Sequence, residues 1–140
     1  LSFATATHAD GLPGVQTLAS PHNFAALVAK LETVVAEHKM AVVAKASASQ
    51  GAAARGVKIP GNAVIMVFRN DYAVRMLEAS VPAGIEAPLR FYVTENADGT
   101  ASLTWRTPST IFAPYGSAPL DEMAHELDPV FAAIARDAVR

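Results

Sequence analysis

Six consecutive apolar residues, Ala63-Val64-Ile65-Met66-Val67-Phe68, do most to limit what this chain can fold into. With Asn62 they read as a strand that is apolar on both alternating faces. Such a strand is buried on both sides or lies central in a sheet. Arg69-Asn70-Asp71 follows and leads into a helix, with Asn70 placed to cap it. Tyr72, Met76 and Leu77, with Val74 beside them, would form the apolar side of that helix. Val81 to Ala87 contains Pro82 and Gly84 and reads as a loop.

Downstream, Leu89, Phe91 and Val93 alternate with Arg90, Tyr92 and Thr94. Leu103 and Trp105 alternate with Ser102, Thr104 and Arg106. A period of two predicts two half-buried strands. Asn96-Ala97-Asp98-Gly99 joins them, and Gly99 supplies the left-handed residue that a short hairpin loop needs.

Upstream, glycine and proline make residues 10–14 a loop, and Val15 to Ala19 fits a short strand. Ser20-Pro21 predicts a helix start, with Ser at the N-cap and Pro in the first helical position. Phe24, Leu27, Val28, Leu31 and Val35 then recur at helical spacing, up to His38-Lys39. Met40 to Ala46 reads as another strand, Ser47 to Gly56 as a short helix and Pro60-Gly61 as a turn.

Beyond the hairpin, Pro108, Pro114 and Pro119 break up the segment from Thr107 to Ala118. Leu120, Met123, Ala124 and Leu127 recover helical spacing. Phe131, Ile134, Ala135 and Ala138 stay in phase across Asp128-Pro129. A residue before proline avoids the helical region, which predicts two short helices or one kinked helix.

The 140 residues fit one domain. The expected division is an N-terminal arm or leader remnant over residues 1–14 and a single domain over 15–140. Hydrophobic residues make up 51% of the chain and charged ones 17%, which argues against disorder. A net charge of −2 with no basic run speaks against nucleic acid or an anionic membrane surface as partner. The chain has no cysteine, so thiolate metal sites, redox pairs and a cysteine nucleophile are excluded. No run approaches the roughly 20 apolar residues of a membrane span. Leu1 to Ala9 reads like the tail of an apolar leader, and Thr7-x-Ala9 before Asp10 resembles a cleavage site with small residues. The expectation is export to a periplasm.

The order of these elements, together with Arg69-Asn70-Asp71, Ala87-Pro88-Leu89-Arg90, Asp98-Gly99, Trp105 and Thr107-Pro108, resembles the bacterial "domain of unknown function 302" family. There the apolar strand typically ends in Gly-Asn-Pro. A Leu-Pro-Leu-Lys/Arg strand entry, an Asp-Gly hairpin, an aromatic strand and an Asp-Pro follow. Arg69, Asp71 and Thr107 stand where that pattern has Gly, Pro and Asp. The resemblance spans about Val15 to Ile134, by order and spacing of elements. It implies a compact α+β fold: a curved antiparallel sheet of about four to five strands with helices packed on one face. It also implies a protein that is commonly dimeric, and it brings no established activity.

Among candidate sites, alternation puts Arg90, Tyr92, Thr104 and Arg106 on one sheet face. Lys45 would join them if its strand neighbours theirs. Two arginines on one face can clamp a carboxylate or phosphate; a partner-covered face and a plain solvated face are the competing readings. Glu122-x-x-His125 shares one helix face, but a metal site needs three or four ligands and only one such pair is present. With Asp121 and Glu126 it reads as a wet acidic face. His8, His22 and His38 are scattered and read as surface residues. Ser109-Thr110 lacks the context of a nucleophile elbow. Gly51 to Gly56 lacks the Lys-Ser/Thr ending of a phosphate loop. Trp105 reads as core or interface packing.

The leading expectation is a non-catalytic interaction protein without a cofactor. It would be a small exported accessory subunit that docks on a larger complex, for example a periplasmic quinohaemoprotein dehydrogenase, or on itself. Any membrane association would run through that partner. The alternative is a dimer binding a small ligand, an anion or haem, near Arg90 and Arg106. An enzyme would need an acid–base pair assembled from distant residues, such as Asp71 with Arg69 or Tyr115.

Overall fold

The computed structural model describes residues 12–140. The leader-like segment, the first part of the expected arm and His8 lie outside the described residues. Strands β1 (Val15–Asn23), β2 (Ala41–Ala46) and β3 (Asn62–Phe68) are followed in turn by helices α1 (Phe24–Glu37), α2 (Ala48–Ala54) and α3 (Asn70–Ala79); the hairpin β4 (Leu89–Glu95) and β5 (Thr100–Arg106) then leads into helices α4 (Pro108–Phe112) and α5 (Ala118–Val139). The strands form one open sheet in the order β1-β5-β4-β3-β2, with every neighbouring pair antiparallel. Helices pack on one side of it, as the resemblance implies.

The core lies between the sheet and helices α1 and α5. Alternation decides which strand residues are buried on this side: Ala63, Ile65 and Val67 from β3, Leu89, Phe91 and Val93 from β4, Ala101, Leu103 and Trp105 from β5. Leu27, Leu31, Val34 and Val35 close it from α1; Leu120, Met123, Leu127, Phe131 and Ile134 close it from α5. Each buried Val, Leu, Ile, Met or Phe among these stabilises the fold by about 1.5–3 kcal/mol. The ring of Phe91 stacks on Phe131 at 5.1 Å between centroids and meets Trp105 at 6.2 Å.

Several elements differ from expectation. No helix starts at Ser20-Pro21: β1 runs on to Asn23 through a register shift between Ala19 and Asn23. Ser20 is buried and its hydroxyl accepts from His22 N–H at 2.9 Å, while Pro21 is tolerated because β1 is an edge strand. Asn23 supplies the cap instead, accepting from Ala26 N–H at 2.9 Å. Asn70 does not cap α3; it is the first helical residue, and Arg69 holds the cap position without a side-chain bond.

The strand β3 is not buried on both sides. Its outward residues Val64, Met66 and Phe68 are only half-buried, but it does lie inside the sheet, between β4 and β2. On α3, Met76 is buried and Tyr72 half-buried, but Val74 and Leu77 are exposed. The segment after α3 is a tight 3-10 turn, Pro82–Glu86. The C-terminal segment is one helix that continues through Pro129. A proline inside a helix costs about 3 kcal/mol, which the in-phase apolar stripe of α5 outweighs.

Candidate functional site

The face of the sheet turned away from the helices carries the four residues singled out by alternation. Tyr92 pairs with Thr104 across β4 and β5, and Thr104 with Thr17 across β5 and β1. The Thr17 and Thr104 hydroxyls lie 2.9 Å apart, and Asn62 Nδ2 donates to Tyr92 Oη at 2.5 Å. Arg106 pairs with Val15 and Arg90 with Met66. The β4–β5 register, continued one step beyond Phe91↔Trp105, sets Arg90 opposite Arg106.

Arg90, Tyr92, Thr104 and Arg106 line one hollow of about 400 Å³, with Val15, Glu86 and Ile111 at its walls. Among the described residues, none of the ion pairs uses Arg90 or Arg106. Glu86, the carboxylate on the wall, receives the Tyr115 hydroxyl proton as a hydrogen bond. That bond pushes the Tyr115 phenol above its ordinary value.

Lys45 does not join the four. It pairs with Ile65, whose side chain is in the core, so it projects on the helix side and reaches Glu32 of α1 at 3.4 Å. A register shift between Val42 and Ala44 sets that facing; strand alternation alone could not reveal it.

The other candidates are dispersed. Asp71 accepts two hydrogen bonds from Arg69, at 2.6 and 2.9 Å, and these hold its carboxyl below the usual range. Arg69 also lies over the Tyr72 ring at 4.3 Å. Tyr115 bonds Glu86, so Asp71 and Tyr115 form no pair with one another. Arg69 and Tyr72 are among the lining of a small cavity of about 40 Å³ that is otherwise apolar, including Met40, Met76 and Met123. Glu122 and His125 are exposed on α5, and His125 Nδ1 engages its own helix at Asp121 O, 2.7 Å away. Among the described residues no three His, Asp or Glu side chains cluster for a metal. His22 contacts Arg140 O, and His38 pairs with Asp137 at 2.8 Å. Ser109 spends its hydroxyl on Asp128. Trp105 packs in the core.

One surface escaped sequence reasoning. Val74, Leu77, Val81 and Ile85 are 45%, 45%, 73% and 81% exposed. They run along α3 and the turn that follows it. The three-residue spacing of Val74 and Leu77 is a visible signal of one helical side, whereas Val81 lies beyond the end of α3 at Ala79; what spacing cannot show is that no element of the described chain covers these side chains.

An open five-strand antiparallel sheet with helices packed on one side defines a small α+β protein. The chain belongs to the family "Domain of unknown function DUF302", which matches residues 16–136. A crystal structure of an uncharacterised conserved DUF302 protein from Bacillus stearothermophilus is similar, with a TM-score of 0.80 over 91% of this chain and 98% of that one, at 18% identity. No curated protein matches the sequence. No helix among the described residues is long and apolar enough to cross a membrane.

Proposed function

We propose that this protein is a non-catalytic interaction protein, an exported accessory subunit that packs on another protein chain. The observation that carries the reading is the apolar strip Val74, Leu77, Val81 and Ile85, with Val81 and Ile85 at 73% and 81% exposure. Large apolar side chains left exposed close together in the chain supply the kind of apolar area that docking surfaces use. Covering Val81 and Ile85 with a partner would contribute about 1.5–3 kcal/mol each. Arg75, on the same helix, is held by Glu126 of α5 in a bidentate pair at 2.7 and 3.1 Å, which keeps the helix in place to present the strip. Export rests on the leader-like residues 1–9 alone.

The test is mild purification from the native source, followed by light scattering on the eluted species. The expected result is a species heavier than one chain. Leu77→Asp combined with Ile85→Asp should return a folded monomer with its circular dichroism spectrum unchanged. Recovery of the unaltered protein only as a free monomer would defeat the reading.

A further inference from the structure

We propose that the hollow between Arg90 and Arg106 binds a dianionic oxyanion, of the phosphate-monoester class, carried on a small apolar body. This inference stands apart from the docking strip and does not rest on it.

Arg90 and Arg106 face one another on adjacent strands, and side chains so placed have Cβ atoms roughly 5 Å apart. Like charges in that position repel and destabilise a sheet. A surface usually relieves such a pair with a nearby carboxylate. Here the only carboxylate lining the hollow, Glu86, is engaged by Tyr115 and makes no ion pair with either arginine. The two guanidinium groups, with Arg90 also donating to Pro88 O at 3.4 Å, outnumber the one carboxylate, so the hollow keeps an excess of positive charge.

The polar groups around them are aimed for the same task. Asn62 donates to Tyr92 Oη, so the phenolic proton of Tyr92 remains free to donate to an acceptor in the hollow. Guanidinium forks grip tetrahedral and planar oxyanions bidentately. Two forks and a hydroxyl match a group with three oxygens and two charges; a monocarboxylate would satisfy one fork and leave the other charged. Val15 and Ile111 supply an apolar wall, and about 400 Å³ is within the range of pockets for small molecules.

The experiment is calorimetric titration of the full chain with phenyl phosphate, inorganic phosphate and benzoate, repeated on R90Q/R106Q. Both positions are exposed, and removing a like-charge pair should leave the ligand-free thermal midpoint unchanged or higher. Phenyl phosphate is expected to bind with a dissociation constant of about 1 mM or tighter. Inorganic phosphate should bind more weakly, and benzoate at least about tenfold more weakly, since each lost charge-assisted contact is worth such a factor. The double variant should lose phenyl phosphate binding, and Tyr92→Phe should weaken it. The proposal is overturned if phenyl phosphate does not bind, if benzoate matches it, or if R90Q/R106Q binds as the unaltered protein does.

Discussion

Asp128 of α5 caps α4 through Ser109: its two carboxylate oxygens accept the Ser109 N–H at 2.9 Å and the Ser109 hydroxyl at 2.6 Å. The short helix α4 begins at Pro108, and Thr107, at its cap position, makes no side-chain cap bond. Asp128, from nineteen residues further along the chain, does that work. Asp128→Ala should cost about 1–2 kcal/mol, the range for loss of a helix cap. Asp128→Asn, which keeps one acceptor, should cost less. Urea denaturation of the three proteins checks the order, and an Asp128→Ala midpoint equal to the parent would refute it.

Phe91 is fully buried at the centre of the sheet, stacked on Phe131 and close to Trp105. Phe91→Ala removes a ring from a packed layer that cannot close over the gap. The expected loss is about 3–5 kcal/mol, read as a lower denaturant midpoint with an unchanged slope. Phe91→Leu keeps most of the volume and should lose less.

Gly14 and Gly99 both have positive φ, +73° and +87°. A side chain in that region costs about 1–2 kcal/mol. At Gly99 a Cβ meets open space, so Gly99→Ala should cost only that. At Gly14 a Cβ would fall 2.4 Å from Thr110 Oγ1, and Gly14 O also accepts from Thr107 N–H at 2.8 Å. Gly14→Ala must therefore disturb the junction of β1 and α4 as well. Thermal melts should rank Gly14→Ala clearly below Gly99→Ala, and equal midpoints would contradict the packing argument.

The contrast between these sites shows what a sequence makes readable. Strands β4 and β5 declare themselves because one face is buried and the other is not, and the same alternation assigns Arg90, Tyr92, Thr104 and Arg106 to one side. Facing across a register shift is a different matter: Lys45 turns toward Glu32 because β2 is offset against β3 between Val42 and Ala44, and nothing local encodes that offset. Ser20-Pro21 carries a sound capping signal, yet the serine bonds His22 and Asn23 takes the cap three residues later. Periodicity marks Val74, Leu77 and Met76 as apolar, but only the placement of α5 and the sheet decides that Met76 is covered while the other two are not. Asp128-Pro129 reads as a break because a residue before proline avoids the helical region, and only the packing of the in-phase apolar stripe carries α5 through it.

The tie between His38 and Asp137 joins the end of α1 to the last turn of α5, 99 residues apart in sequence, at 2.8 Å. This hydrogen bond, helped by the charge of Arg140, holds the Asp137 carboxyl below its ordinary value of 3.8. A carboxyl whose folded value is depressed binds fewer protons folded than unfolded between the two values. Stability in that window therefore rises with pH. The contribution of Asp137 is fully present above about pH 4, near the unfolded carboxyl value, and is lost as pH falls through the lower folded value. Asp71 and Asp98 have the same sign, but their partners, Arg69 and Thr100, lie two residues away, so they report on local turns. Asp137→Asn should lower stability at pH 6, and its urea midpoint should fall less steeply than the parent's below pH 4. The two curves should converge at the acid end, once the parent carboxyl is itself protonated. Parallel curves across that range would mean that the His38 tie does not help hold the end of α5.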